Sequence, residues 1–361
     1  MEERDFLQYL CMAPDMYRNH LQGLLAVFGT AKAVCEAPES EFDMWIKTGN
    51  RWILRFLEYR RRQAPAEAPE RLSRLGLLFC AASDPGFPER LLRIPDCPYG
   101  LFYKGRLPDA TRPCAAVIGA RRCSSYGRAQ ARRAARVLAG CGVQIISGMA
   151  AGIDGIAQEE AVSQGGTSFA VLGSGADVCY PEDHRALYQD LQREGGVISE
   201  LAPGTPPLAA HFPLRNRIIS GLSDAVIVIE AREKSGTLIT ADYALDQGRD
   251  VLAMPGRVTD PVSAGCNRLI AQGAGAILSM DDLPAMLGLS GAPLKKKGAP
   301  PALVLSEDEK KVFSSLDVMP TGLEELAAKT GLGFGRLGEI LLGLQLKGAV
   351  EEISKNMYVI S

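Results

Sequence analysis

Phe212-Pro213-Leu214-Arg215-Asn216-Arg217-Ile218-Ile219-Ser220-Gly221, the apolar run Ala225-Val226-Ile227-Val228-Ile229, and Lys234-Ser235-Gly236-Thr237-Leu238-Ile239-Thr240 make one short unit. An apolar run of this length between turn residues reads as a strand buried on both faces, the habit of parallel sheets. The Ser-Gly-Thr after it opens a helix, whose first N–H groups have no helical partner and carry the positive end of the dipole. With Arg215, Arg217 and Lys234 alongside, such a strand–loop–helix suits an anion, phosphate above all. An ordinary βα turn with surface arginines would show the same residues, so each of them is a candidate only.

Outward from this unit the same alternation repeats. Strands are expected over Ala115–Ile118, Val143–Ile146, Ser168–Leu172, Val197–Ser199, Ala225–Ile229 and Val251–Met254. Helices are expected between them over Arg128–Gly140, Ile153–Gly165, Asp183–Glu194, Pro213–Leu222 and Gly236–Gly248. Short apolar strands separated by single helices imply βαβ units, hence an α/β fold with a doubly wound parallel sheet over residues 73–288. Residues 1–72 read as short helices, with one stopped at Gly29 and another starting at Thr30. They fit a small module of the SAM or helix-hairpin-helix type, or a helical cap on the next domain. A linker is expected over 289–302, where Lys295-Lys296-Lys297 sits among Gly and Pro. Residues 303–361 read as three helices and a terminal hairpin, the winged-helix pattern. That last unit has nine acids against six bases, and its candidate recognition helix carries only Arg336 and Lys347. Its charge disfavours reading DNA.

The chain has 361 residues, 47% of them apolar, and a formal net charge of −2, so any nucleic-acid binding must come from a local basic patch. Its nine cysteines form no Cys-x-x-Cys pair and it has three histidines, which argues against zinc fingers, haem attachment and a disulfide framework. The charged start Met1-Glu2-Glu3-Arg4-Asp5 is followed by no apolar signal segment, and no stretch nears the roughly 20 apolar residues of a membrane span. A cytoplasmic protein without membrane attachment is expected.

In a doubly wound sheet, ligands sit at the carboxyl ends of the strands. After the first expected strand comes Gly119-Ala120-Arg121-Arg122-Cys123-Ser124-Ser125-Tyr126-Gly127, and residues 121–136 hold six arginines and no acid. Arginine forks match phosphate oxygens. Arg121, in the loop, is the strongest candidate, while Arg132, Arg133 and Arg136 fit a solvated helix face. After the second strand comes Ser147-Gly148-Met149-Ala150-Ala151-Gly152-Ile153-Asp154, and after the third Gly173-Ser174-Gly175-Ala176-Asp177. The latter is not a dinucleotide fingerprint, since the third glycine is absent, and the lack of any Gly-Lys-Ser/Thr excludes a Walker A loop. His184 and His211 lack metal or triad spacing, and Asp154, Asp177 and Glu200 read as helix caps rather than general bases.

Taken in order, these segments resemble the DprA/Smf family, the DNA-processing proteins of bacterial natural transformation. The resemblance rests on Asp84-Pro85-Gly86-Phe87-Pro88, Pro98-Tyr99-Gly100-Leu101-Phe102-Tyr103-Lys104-Gly105, the Ser147–Asp154 and Gly173–Asp177 loops, and Tyr180-Pro181. It continues through Phe212–Arg217, Ser235–Ala241, Met254-Pro255-Gly256 and Gly265-Cys266-Asn267. Two positions depart from the family pattern. Gly119-Ala120-Arg121 stands for Gly-Ser/Thr-Arg, and Ala157-Gln158 for Ala-His.

The resemblance implies an extended Rossmann-like domain that binds single-stranded DNA, a homodimer, and a non-enzymatic mediator, without cofactor, that protects incoming DNA and loads RecA. The implied DNA- and phosphate-binding residues are Gly119, Arg121, Ser124, Ser147, Gly148, Gly173, Phe212, Arg215, Asn216, Arg217, Lys234, Ser235, Gly236 and Thr237. Arg121, Arg215, Arg217 and Lys234 would track the backbone, N–H groups of Gly119, Gly148 and Gly236 would receive phosphates, and Phe212 would either stack on a base or pack the helix start. The alternative is a nucleotide phosphoribohydrolase of the lysine-decarboxylase-like class, whose Gly-Gly-x-Gly-Thr-x-x-Glu loop supplies a catalytic acid. Here that acid's position holds Thr240, which cannot serve as acid or base.

Overall fold

A computed structural model of the chain describes residues 1–289, 305–316, 321–354 and 356–360. The linker expected over 289–302 lies, from residue 290 on, outside the described residues.

The central sheet has nine strands: β1 (Leu78–Ala81), β2 (Gly100–Gly105), β3 (Cys114–Ile118), β4 (Gln144–Ser147), β5 (Ser168–Val171), β6 (Gly196–Ser199), β7 (Ala225–Val228), β8 (Asp250–Ala253) and β9 (Gly275–Ala276). Their order is β1-β2-β6-β5-β4-β3-β7-β8-β9. The pairs from β6 to β9 are parallel, whereas β1–β2 and β2–β6 are antiparallel. All five residues of β3 and all four of β4, β5, β6 and β7 are buried. Helices on both faces require this, and it is why those strands are apolar at their centres, with the polar Gln144, Ser147, Ser168 and Ser199 confined to strand ends. The six expected strands are present within a residue or two at their ends. β1, β2 and β9 complete the sheet at its two edges.

The topology fixes where a ligand site belongs. From β3 the chain winds through β4 and β5 to β6, then returns so that β7 pairs on the opposite side of β3. Ala115 thus lies level with Ile145 on one side and Ala225 on the other. The loops after β3 and β7 therefore leave in opposite directions and open a crevice between them, the switch point of a doubly wound sheet.

The N-terminal helices pack on the antiparallel edge. Helix Arg18–Phe28 ends at Gly29 with φ +80°, and the hydroxyl of Thr30 accepts the Ala33 N–H at 3.1 Å to start helix Ala31–Glu36. Tyr9, Leu10, Phe42 and Phe56 share one apolar cluster with Phe79, Ala81 and Phe102 of β1 and β2, so these helices are continuous in packing with the sheet. Arg4 grips Asp84 at 2.9 Å, and Arg18 donates to the Cys97 carbonyl at 3.0 Å.

The C-terminal unit consists of helices Glu307–Ser315, Leu323–Thr330 and Phe334–Leu346, with the three-stranded sheet β10 (Thr321–Gly322), β12 (Met357–Ile360), β11 (Val350–Ser354) in that spatial order. Ser306 and Glu309 cap the first of these helices reciprocally, and Gly331 ends the second at φ +70°. Val312, Leu326, Leu337, Leu341 and Leu344 form its core. This is a winged helix. Arg336 is paired with Asp308 at 2.8 Å and Glu339 at 3.0 Å, and Lys347 with Glu309 at 2.7 Å. Both cations of the candidate recognition helix are thus neutralised within the unit itself.

Candidate nucleic-acid interface

At the switch point lies a cavity of about 520 Å³. The β3 loop contributes Gly119, Ala120, Arg121 and Arg122, and the β7 loop Arg232, Lys234, Ser235, Gly236 and Thr237. Helix His211–Gly221 contributes Phe212, Arg215 and Asn216. Five cations therefore line the cavity, against one acid, Asp154.

That acid is tied internally. Its carboxylate accepts the N–H of Gly119 at 3.3 Å and of Gly148 at 3.1 Å, joining the loops after β3 and β4. Burial raises its pKa above the ordinary value, and the nearby Arg215 acts in the opposite sense. Arg215 is buried as well, and desolvation lowers its pKa to about 10, with Asp154 opposing. Its guanidinium donates to the Val171 carbonyl and packs so tightly on Gly148 that a Cβ there would lie 2.2 Å from Nη1.

Phe212 joins the basic groups. The guanidinium carbons of Arg121 and Arg215 sit 5.2 and 5.9 Å from its ring centroid, within cation–π range. Behind the ring, a Cβ on Gly173 would come within 2.8 Å of it, so glycine is what leaves Phe212 its room. Across the cavity, Ser235 caps helix Gly236–Asp246 by accepting the Thr237 N–H at 3.2 Å. Asn216 donates to the Gly236 carbonyl at 3.2 Å, which fixes that helix start against the arginine-bearing helix. The arrangement offers an anion two solvent-facing arginines on one wall, a lysine and a helix N-terminus on the other, and a half-buried aromatic ring beside them.

Sequence comparison matches the family described as DNA recombination-mediator protein A to residues 78–288, and the DprA winged helix domain to residues 296–354. The chain belongs to this family. Protein Smf of Synechocystis is 33% identical over 339 residues, covering 84% of this chain and 85% of that protein. DNA processing protein DprA of Streptococcus pneumoniae is 44% identical over 204 residues, 56% of this chain and 71% of that protein. The X-ray structure of the S. pneumoniae protein superposes with a TM-score of 0.65 at 33% identity, over 78% of this chain and 97% of that one. The Helicobacter pylori DNA processing protein A, solved for its single-stranded DNA binding mode, gives 0.52 at 28% identity, over 58% and 95%.

Within this recombination-mediator fold the expected site residues divide. Gly119, Arg121, Phe212, Arg215, Asn216, Lys234, Ser235, Gly236 and Thr237 come together around the cavity. Five do not line it: Ser124, Ser147, Gly148, Gly173 and Arg217. Arg217 is 4% exposed and lies on the other side of its helix, paired with Asp96 at 3.0 Å and Glu200 at 2.7 Å. Two residues along a helix turn a side chain by about 200°, so Arg215 and Arg217 point apart. Ser147 is fully buried and donates to the Val117 carbonyl at 2.7 Å, and Ser124 caps the next helix by accepting the Gly127 N–H at 3.0 Å. Gly173 serves the site by making room for Phe212. The expected use of the Gly119 and Gly148 N–H groups on phosphate is also corrected, since Asp154 already takes both. Glu200, read as a helix cap, is instead the partner of Arg217.

Arg122 and Arg232 are cavity residues that the sequence reading did not single out. Only their strand-end position marked them. Gln158, where the chain departs from the pattern the resemblance implies, has a structural task. Gln158 accepts the Met149 N–H at 2.9 Å and donates to Ser168 at 3.2 Å, holding Met149 at φ +52°.

Proposed function

We propose that the chain is a single-stranded DNA-binding mediator whose switch-point cavity receives the DNA backbone, and that it protects incoming DNA and passes it to RecA. The observation that carries this reading is the charge imbalance of the cavity, five cations around one carboxylate that is already hydrogen-bonded to backbone. A site so charged in a chain of net charge −2 is a local electrostatic footprint, as nucleic-acid binding requires. Arg121, Arg122, Arg232 and Lys234, all exposed, contact phosphates, Arg215 sets the charge of the floor, and Phe212 stacks on a base. Membership of a recombination-mediator family and the likeness to a structure solved for its single-stranded DNA binding mode support the same reading.

A cytoplasmic homodimer acting in natural transformation is the setting this function implies. Among the described residues no helix is long and apolar enough to cross a membrane, and no metal cluster is formed. The phosphoribohydrolase alternative is not favoured, because its acid position holds Thr240 and the single cavity carboxylate is bound to two backbone N–H groups.

The test is fluorescence anisotropy with oligo-dT and the matching duplex across a salt series. Preference for the single strand is expected, with a log–log slope of roughly −0.7 per phosphate contacted. Equal, salt-insensitive binding of both would contradict it. RecA loading is then read by strand exchange on DNA coated with single-strand-binding protein.

A further inference from the structure

The loop after β5, residues 173–181, places a second aromatic ring at the cavity's edge. Tyr180 is 40% exposed, and its ring centroid lies 5.7 Å from that of Phe212 at an interplanar angle of 41°. The loop is held rigidly. Asp177 accepts the Gly204 N–H at 2.9 Å, Tyr188 donates to the Ala176 carbonyl at 2.6 Å, and Ser199 donates to the Ser174 carbonyl at 2.6 Å. A loop tied this firmly could have buried its one large aromatic against the sheet. It holds the ring out toward solvent instead, beside the ring that Arg121 and Arg215 flank.

We propose that Tyr180 and Phe212 form a two-ring step that stacks two successive bases of a single strand whose phosphates lie along Arg121 and Lys234. This deepens the DNA-binding reading and rests on it. Every base has a π-face, so such a step binds without sequence preference and gives each ring its own share of affinity. A duplex keeps its bases stacked on one another and cannot use the step, so the two rings supply the discrimination between single and double strand that the phosphate contacts alone do not.

The experiment compares oligo-dT with an oligonucleotide of the same length built of abasic residues, using the wild-type chain, Tyr180→Ala, Tyr180→Phe and Lys234→Ala. Tyr180→Ala is expected to weaken oligo-dT binding on the order of tenfold. It should leave abasic binding and the salt slope unchanged, while Tyr180→Phe stays near wild type. Lys234→Ala should weaken both ligands and flatten the slope. Oligo-dT binding by Tyr180→Ala equal to wild type, with Lys234→Ala impaired, would overturn the two-ring step and leave the phosphate site standing. Loss of both ligands in Tyr180→Ala would also overturn it, showing that the ring props the loop. No salt-sensitive binding by the wild-type chain would overturn the site reading and the step together. Tyr180→Trp adds a direct signal, since indole emission should be quenched by oligo-dT and not by the abasic strand.

Discussion

The carboxylate of Asp154 holds the backbone N–H of Gly148 at 3.1 Å, and with the Gly119 N–H it occupies the place that a phosphate oxygen was expected to take. The protein thus carries an internal carboxyl acceptor at the floor of its cationic cavity. Burial raises the Asp154 pKa above 3.8, so the folded chain holds a proton there over a window in which the unfolded chain has lost it. Stability therefore falls as pH rises from about 4 through the raised pKa. Urea denaturation should show wild type losing stability relative to Asp154→Asn across that window, and a pH-independent difference would refute it. Asp154→Ala removes the acceptor altogether and strands two N–H groups, at about 1–3 kcal/mol each when buried.

Arg121 and Arg217 separate binding from folding. Arg121 is exposed and lines the cavity, so Arg121→Ala should weaken oligo-dT binding several-fold and reduce the salt slope, with an unchanged denaturation midpoint. Arg217→Ala leaves Glu200 and Asp96 without their cation, and breaking a buried pair costs about 3–5 kcal/mol. Its signature is a lowered midpoint. A stable Arg217→Ala chain with weakened DNA binding would return that residue to the interface.

How far the sequence reveals this site depends on what each residue touches. β3 through β8 are legible because strands covered on both faces have apolar centres, and the helix starts at Thr30 and Ser235 carry recognisable caps. β1 and β2 are antiparallel edge strands joined by a Pro-rich stretch without periodicity, so nothing local announces them. The loops that reach the cavity follow from strand order. The direction of Arg217 does not, because the letters Arg-Asn-Arg carry no record of helix phase until the helix start at His211 is fixed. Nor could Ser147 be distinguished from a ligand-binding serine, since its partner, Val117, lies 30 residues earlier in the chain and is adjacent only through sheet pairing.

The winged helix should add little to single-strand affinity. Arg336 and Lys347 are each held by acids of the same unit, and freeing them for phosphate would expose those acids to the DNA. Arg336→Ala and Lys347→Ala should leave oligo-dT affinity within about twofold and the salt slope unaltered, because no counterion is released at a site already neutralised. A slope reduced by roughly 0.7 in either variant would show that the cation reaches a phosphate.

Two glycines test how closely DNA approaches. A Cβ at Gly148 would meet the buried Arg215 guanidinium at 2.2 Å, whereas one at Gly236 would meet nothing within 4 Å. Gly148→Ala should therefore destabilise the chain by about 1–3 kcal/mol through overpacking, whether or not DNA is present. Gly236→Ala sits at the first turn of a helix with helical backbone, where alanine is the better helix former by up to about 1 kcal/mol. Its folding should be neutral or improved. If a phosphate docks on that helix start, the added methyl group stands in its path, and oligo-dT affinity should fall while stability holds. Calorimetry and anisotropy on the one variant separate the two effects. Unchanged affinity would mean that Lys234 and the arginines hold the strand away from the helix terminus, with the backbone N–H groups left to water.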